Sequence, residues 1–287
     1  MKRIVNIADL HCGSIFAIAV PSYVNKAARA IPQRIFNLWR KSVKGEWYKP
    51  DVLLVNGDAI DGGAKRDSGV YLWTQKITDQ IQCAAELISM WGAKKTYITR
   101  GTDYHVSVDD GRVHAEEILA QELGAEFWPN QENVPEKLRE RSGYDITLSA
   151  EGANFHYSHH LPVSSSPFYL TTPLAKDMVH AALHDPVAAY GKAVASGLAA
   201  EMGGIGNKVN AVIRAHGHKY MKIDFARSAG VCLPSWQARP VYMQKKKPLA
   251  IPADIGFVGI EVRGGKIRYE KNLWTVAQVQ IPPIAIC

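Results

Sequence analysis

Short apolar segments alternate with helical patterns through the first half of the chain. Strand-like apolar runs occupy residues 3–9, 51–58 and 94–101, and each run ends in polar side chains. Between the second and third runs, residues 68–92 place apolar side chains at spacings of three and four, which predicts an amphipathic helix. Residues 108–125 predict a further helix that begins with acidic side chains. Strands that alternate with helices indicate βαβ units and a mainly parallel sheet.

The second half of the chain is richer in predicted strands. Residues 144–160 predict one hairpin and residues 255–274 predict another. Between them lie Ala-rich helical segments, which we interpret as a helical insertion at about residues 171–208, and a strand-like run at 209–218. No linker-like stretch separates the two halves, so we predict that residues 1–287 form a single domain.

The composition is that of an ordinary globular protein with a basic tilt. Apolar residues make up 47% of the chain and charged residues 21%, while 34 basic and 27 acidic side chains give a net charge of +7. This charge favours anionic partners such as phosphate esters or nucleic acid. The four cysteines show no C-x-x-C pairing, which disfavours a disulfide framework or a zinc knuckle. Because we find neither a secretory leader nor a membrane-length apolar run, we expect a soluble, cytoplasmic protein.

The strand ends repeatedly deliver aspartate and histidine. Five pairs do so: Asp9 with His11, Asp58 with Asp61, Asp103 with His105, His159 with His160, and His216 with His218. In an open α/β sheet, ligands bind at the carboxyl ends of the strands. Carboxylates and imidazoles are ligands of Zn, Mn and Fe, and a D-x-H pair on extended chain turns both side chains to one face. A shared carboxylate such as Asp58 can bridge two ions ~3.5–4 Å apart.

The order of these pairs resembles the motifs of the calcineurin-like metallophosphoesterase superfamily. Those motifs are D-x-H, G-D-x-x-D, G-N-H-D/E, a lone His after a strand, and G-H-x-H, and the resemblance covers roughly residues 3–218. It implies an α/β fold, namely a four-layer αββα sandwich with two mixed sheets. More loosely, the run 101–106 followed by Ala-Glu-Glu, together with the tail segment 233–240, is similar to bacteriophage-encoded members.

The resemblance also implies a site with two divalent metal ions, with Mn preferred over Zn, Fe or Ni. Its ligand roles carry over by motif. Asp9, His11 and His218 bind the first ion, Asp58 bridges both ions, and His159 (or its neighbour His160) and His216 bind the second ion. Asp61 supports catalysis by holding a ligand or a loop in place.

The third motif departs from the family pattern. It reads Gly101-Thr102-Asp103-Tyr104-His105, so the usual Asn ligand and the His after it are both missing. Thr102 occupies the Asn position, but its neutral hydroxyl is a poor ligand beside carboxylate and imidazole. Asp103 could bind the second ion as a hard oxygen donor. His105 could fill the ligand vacancy or act as the catalytic His, and the sequence does not choose between these roles. In the last motif, Ala215 replaces the leading Gly, and both ligand histidines, His216 and His218, are kept.

The implied activity is hydrolysis of a phosphoester by a water that the ions activate, with His105 protonating the leaving alkoxide. The net charge, the D-x-H-x-G run at the first motif and a basic amphipathic helix at 32–45 favour a phosphodiesterase or nuclease that acts on nucleotides or nucleic acid. A phosphomonoesterase or protein phosphatase is an alternative, and a non-catalytic metal-binding scaffold is an alternative of another class. A serine hydrolase has no support, because G-x-S-x-G is absent.

Overall fold

The structure is a computed structural model, and it describes most of the chain. The described residues are 1–63, 69–108, 113–129, 131, 133–162, 167–183, 209–225, 228–239 and 252–274. Among them, we find no helix with the length and apolar character that a membrane crossing requires.

Strands and helices alternate in the first half of the chain, as its apolar pattern predicts. In order, the elements are β1 (Lys2–Ile7), α1 (Ala30–Ser42), β2 (Val52–Asn56), α2 (Ile77–Ser89), β3 (Lys95–Thr99), α3 (Asp103–Val106), β4 (Ser107–Val108), β5 (Val113–His114) and α4 (Ala115–Glu122). The spacing of apolar residues explains how these helices pack. In α1, for example, Ile35, Leu38 and Trp39 are buried while Arg40 and Lys41 face solvent.

The second half contributes most of the antiparallel pairing. Its elements are β6 (Ser142–Gly143), β7 (Asp145–Ala150), β8 (Ala153–Ser158), α5 (Thr172–Leu183), β9 (Ala211–Arg214), β10 (Met221–Phe225), β11 (Ser228–Cys232), β12 (Ile255–Arg263) and β13 (Lys266–Trp274). Short 3-10 helices lie at Glu136–Leu138 and Pro167–Tyr169. β7 pairs antiparallel with β8, and β12 with β13, which confirms both predicted hairpins.

Two mixed sheets organise these strands. The first runs β13-β12-β1-β2-β3-β6, with β1, β2, β3 and β6 parallel and with β12 antiparallel to β1. The second runs β10-β11-β9-β8-β7, with β8, β9 and β11 parallel between antiparallel edge strands. β4 and β5 form a separate two-stranded sheet. Within each large sheet, the parallel strands end at a common edge.

Alternating side chains place each sheet between two apolar layers. On β2, Leu53 packs into the cluster that includes Trp39 of α1 and Leu87 of α2, whereas Leu54 packs into the cluster between the sheets with Tyr157 of β8. A third cluster covers the outer face of the second sheet, where Leu174 of α5 packs on Cys232 of β11. The order of layers is helices, sheet, sheet, helix, so the predicted αββα arrangement with two mixed sheets is confirmed.

The predicted helix boundaries were too wide. The helix expected at 68–92 is α2, and its first predicted turns are replaced by a turn at Gly69, which has φ +74°. The helix expected at 108–125 is the shorter α4, preceded by the antiparallel strand pair β4 and β5. Of the predicted insertion at 171–208, α5 is helical, and 184–208 lies outside the described residues.

Candidate metal centre

The predicted ligands converge because backbone hydrogen bonds join the loops that follow the parallel strands. The N–H of Asp9 donates to the carbonyl of Gly57 at 3.0 Å, and the N–H of His11 donates to the carbonyl of Asp58 at 2.9 Å. The N–H of Ala215 donates to the carbonyl of His159 at 3.0 Å, which joins the loops after β8 and β9. The two sheets therefore bring their carboxyl-end loops to one place, as expected for an α/β site.

One group of donors consists of Asp9, His11 and His218. The Nε2 atom of His218 lies 3.2 Å from Asp9 Oδ1 and 3.3 Å from His11 Nε2, and His11 Nε2 lies 3.7 Å from Asp9 Oδ1. Two donors that each lie ~2.1 Å from one ion are separated by ~3.0–3.4 Å, so these spacings suit a shared ion. This is the ligand set that the sequence assigns to the first ion.

A second group consists of Asp58, His159 and His216. His159 Nε2 lies 3.1 Å and His216 Nδ1 lies 4.0 Å from Asp58 Oδ2. The same carboxylate oxygen lies 3.9 Å from His11 Nε2 of the first group. Asp58 therefore stands between the two groups, at the position of a bridging ligand. His160 stands outside the group: it is exposed, and its ring centroid lies 5.0 Å from that of His216.

The backbone at this site is strained in a way that marks a functional region. Seven described non-glycine residues have a positive φ, and five of them are candidate ligands. These are Asp9 (51°), His11 (46°), Asp58 (50°), His216 (65°) and His218 (52°). Each such residue costs about 1–3 kcal/mol, and this strain clusters at active sites and ligand clamps. The fold maintains this loop geometry at a cost to its own stability.

Two hydrogen bonds orient the histidines toward the centre. His159 donates its Nδ1 hydrogen to the carbonyl of Asn56 at 2.7 Å, and His11 Nδ1 lies 2.9 Å from Asp61 Oδ1. Each contact leaves the Nε2 lone pair facing the other donors, which is the arrangement of metal-binding histidines. Asp61 thus contacts a candidate ligand, in keeping with its predicted supporting role. The sequence analysis missed Asn56, a buried residue at the end of β2 that gives no ligand-type signal.

Two buried polar atoms in the centre have no hydrogen-bond partner, namely Asp9 Oδ1 and His159 Nε2. Buried polar atoms are normally satisfied, so each such atom requires an explanation. Both point into donor groups made of carboxylate oxygen and imidazole nitrogen, which suit divalent ions such as Mn, Zn or Fe. The residues present therefore suit divalent ions.

The buried carboxylates and histidines of the centre stabilise each other's charged forms. Burial opposes ionisation of Asp9, but His218 and His11 outweigh burial and hold the Asp9 pKa well below its usual range. Burial likewise opposes ionisation of Asp58, but His159 holds its pKa low. Burial disfavours the protonated form of His159, but Asp58 and Asp9 raise the His159 pKa to about 9. In the absence of ions, protons on the histidines neutralise the buried carboxylates.

The polar residues of the third motif, Thr102, Asp103 and His105, lie in three different surroundings. The Thr102 N–H donates to Asp58 Oδ1 at 2.7 Å, and Thr102 Oγ1 lies 3.1 Å from Asp58 Oδ2 and 3.3 Å from His216 Nδ1. His105 lies by the first group instead, with its ring centroid 4.7 Å from that of His11 and its Nδ1 atom 3.0 Å from the carbonyl of Asp61. Thr102 therefore lies beside the donors of the second group, whereas His105 lies with His11 and Asp61.

Asp103 departs from its predicted position as a ligand of the second ion. It is exposed at the start of α3, where its Oδ1 accepts a hydrogen bond from the Tyr144 hydroxyl at 3.1 Å. The structure brings Asp103 into neither donor group, because Asp103 begins α3 and its carboxylate contacts Tyr144 instead.

Glu116 is a buried residue of the site that the sequence analysis missed. Its carboxylate accepts hydrogen bonds from the N–H of Ala59 at 2.9 Å and of Gly101 at 2.5 Å, so it joins the second and third motifs. Burial, and then the charge of Asp58, raise the pKa of Glu116 to about 7. A signal was present, since Glu116 lies one residue after Ala115 and three before Leu119 on the apolar side of α4. An acidic residue on such a face requires a buried partner.

No protein-family model matches this chain, and no curated protein matches it. A mutant of Vps29 from Entamoeba histolytica aligns over 95% of this chain and 99% of its own, with 11% identity and a TM-score of 0.42. Wild-type Vps29 of that organism complexed with Zn²⁺ aligns over 94% and 98%, with 9% identity and a TM-score of 0.40. A Streptococcus pneumoniae protein described as a predicted phosphoesterase aligns over 94% and 98%, with 8% identity and a TM-score of 0.34.

At these identities and TM-scores, the comparisons establish neither a family nor an activity for this chain. Its activity is therefore inferred from the residues of the centre. The resemblance to bacteriophage-encoded members likewise stays a prediction.

We expect the metal-free protein to lose stability as pH rises from 6.5 to about 9. The folded-state pKa of His159 is about 9 and its ordinary value is 6.5, so folding takes up a proton in this range. The stabilisation is complete below pH 6.5 and is lost through pH 9, with a limit of about 3 kcal/mol. Urea unfolding in the presence of a chelator measures it. A flat or rising profile in the unsubstituted protein, or an equally steep decline in His159→Gln, would contradict this account.

Proposed function

We propose that this chain is a metal-dependent phosphoesterase of the calcineurin-like metallophosphoesterase superfamily. The observation that carries the proposal is the pair of donor groups on either side of Asp58, a carboxylate that is 1% exposed and lies within 4 Å of histidines from both groups. Asp9, His11 and His218 would hold one divalent ion, and His159 and His216 would hold the other. Such ions, when bound, lower the pKa of water and neutralise phosphoryl charge.

The residues around the ions have separate tasks in this proposal. Asp61 fixes the orientation of His11 through the 2.9 Å contact, and Asn56 fixes that of His159. His105 protonates the leaving oxygen. Burial, and then His11, lower the pKa of His105, and the negative charge of a bound phosphoester favours its protonated form again. A partly exposed imidazole beside the first group can hold a proton close to the ions and still reach solvent.

The proposed substrate is a phosphodiester, in a nucleotide or nucleic acid. The net charge of +7 supports an anionic substrate, and the exposed Tyr104 ring beside His105 supports one that carries flat groups. Mn²⁺ is the proposed ion, with Zn²⁺, Fe²⁺ and Ni²⁺ as alternatives that suit the same donors. A phosphomonoesterase or protein phosphatase would use the same centre, and a non-catalytic scaffold would keep the ions without turnover.

Hydrolysis of bis-nitrophenyl phosphate and mono-nitrophenyl phosphate with added Mn²⁺ tests this function. We expect the diester to be the better substrate, and we expect Asp58→Asn to lower kcat/KM by at least about 100-fold because it removes the shared charge. Asp224→Asn, on the exposed strand β10, is the matched control and should retain activity. Preference for the monoester would support a phosphomonoesterase, and bound metal without hydrolysis of either ester would support the scaffold.

We expect His105→Ala to slow the hydrolysis of esters with poor leaving groups more than that of esters with good leaving groups. Loss of a general acid costs about 100-fold or more when the leaving oxygen needs a proton, as in a dinucleotide, and far less when it is a nitrophenolate. Steady-state kinetics on a dinucleotide and on bis-nitrophenyl phosphate, with metal content measured in parallel, check this. Equal losses on both esters with a fall in bound metal would instead make His105 a ligand.

We expect Thr102 to act as the remaining protein ligand of the second ion. Thr102→Ser keeps the hydroxyl that lies 3.1 Å from Asp58 and 3.3 Å from His216, whereas Thr102→Val removes it at nearly the same volume. The Thr102→Val variant should bind the second ion about 10-fold or more weakly, and the Thr102→Ser variant should bind both ions with unchanged affinity. Calorimetric titration with Mn²⁺ gives both affinities. Equal behaviour of the Val and Ser variants would exclude the ligand role.

A further inference from the structure

A cavity of about 510 Å³ adjoins the second donor group, on the outer face of the second sheet beneath α5. The pleat of β8 links the two: His159 joins the donor group, while its neighbours Ser158 and His160 line the cavity. On β9, Arg214 lines the cavity two residues before His216. The ring of His160 also lies 5.0 Å from that of His216. A ligand whose phosphate occupies the metal centre could therefore extend into this cavity.

The charges that line the cavity balance each other. Arg214 and Lys176 are its fixed cations, and Asp145 and Asp177 are its carboxylates. The Arg214 side chain is 6% exposed and its Nε donates to Asp177, so this cation is already neutralised. A second phosphate group would meet no net positive charge and would face two carboxylates. The cavity therefore does not suit an anion.

The same lining offers hydrogen bonds and flat surfaces. Arg214 Nη2 donates to His156 Nδ1 at 3.1 Å, and His156 Nε2 lies 3.6 Å from Asp145 Oδ2. Burial, and then Arg214, lower the pKa of His156 and keep it neutral. Tyr169, which is 62% exposed, and His180 add ring faces at the wall and on α5. A purely apolar ligand would leave the polar groups unpaired.

We propose that this cavity binds the nucleoside of a nucleotide phosphodiester whose phosphate lies at the metal centre. A nucleobase has donors and acceptors on its edge and two flat faces, which match the balanced charges and the rings of Tyr169 and His180. The volume lies within the ~300–1,000 Å³ range of pockets for small ligands. This assignment rests on the proposed phosphodiesterase function and names the substrate class of that site.

The first test compares two diesters with the same leaving group, the nitrophenyl ester of thymidine 5′-phosphate and bis-nitrophenyl phosphate. In the Mn²⁺-loaded protein, the ratio of their kcat/KM values should favour the thymidine ester. Tyr169→Ala and His180→Ala should lower that ratio by about 5- to 10-fold, because each removes a stacking or edge contact to the base. Val179→Ala is the matched control, since Val179 is exposed on α5 but does not line this cavity. An unchanged ratio in both variants would overturn the proposal.

The second test separates this proposal from the proposed hydrolysis. 2′-Deoxyadenosine carries no phosphate, so its binding to the full chain, followed by NMR of the histidine ring resonances, reports on the cavity alone. Binding that Tyr169→Ala and His180→Ala weaken and Val179→Ala does not would support the nucleoside site even if no ester were hydrolysed. Hydrolysis without deoxyadenosine binding would leave the phosphoesterase intact and overturn the nucleoside site.

Discussion

Burial of the Asp58 carboxylate is the constraint on which the rest of this structure depends. Removing a lone carboxylate from water costs several kcal/mol, and the cost is recovered only when opposite charges and hydrogen bonds surround it. Here the Thr102 N–H donates to one oxygen, and His159 lies 3.1 Å from the other. Those partners come from β8 and from the loop after β3, so satisfying Asp58 requires both sheets to end at one point. Ions in the two donor groups would supply the same compensation more completely than protons on histidine.

The glycines and strained residues of the loops follow from that requirement. Gly101 has no Cβ, and a Cβ there would lie 2.2 Å from the Asp58 backbone nitrogen, so only glycine allows the third motif to approach. Gly57, with φ +77°, is required for the same reason, because a Cβ there would lie 2.4 Å from Nδ1 of the His159 ring. The Glu116 carboxylate then holds Gly101 and Ala59 together from behind. The apolar layers on both sides of each sheet provide the stability that offsets these strained loops.

The sequence predicted those parts of the molecule that follow from local pattern. Apolar runs and their spacing predicted a mainly parallel sheet and both hairpins, whereas the two mixed sheets followed from the resemblance to metallophosphoesterases. The i, i+2 pairs such as Asp9 with His11 predicted donors that the fold brings together. The sequence did not predict Glu116, whose carboxylate accepts hydrogen bonds from the backbone N–H groups of two distant loops. Nor did it predict Asn56, whose backbone carbonyl accepts a hydrogen bond from His159 and so leaves no signal in the residue type. Helix ends were placed too far out, since tertiary contacts and turns such as that at Gly69 decide where an apolar pattern stops being helical. The position of Asp103 differs from the prediction because spacing along the motif does not reveal that a helix begins at this residue.

The third motif places two of its residues on different sides of the Asp58 carboxylate. Thr102 lies with Asp58 and His216, while His105 lies against His11 on the other side of the shared carboxylate. The cavity lies beside the second group, because His160 lines it and the His160 ring lies 5.0 Å from that of His216. In the proposed mechanism, with His105 as the proton donor, the leaving oxygen would depart on the side of the first group, and the nucleoside in the cavity would stay with the phosphate. The proposed ligand Thr102 and the proposed acid His105 are separated by two residues, whereas neighbouring residues supply both in the metallophosphoesterase motif. That separation would place the two halves of a diester on opposite sides of Asp58.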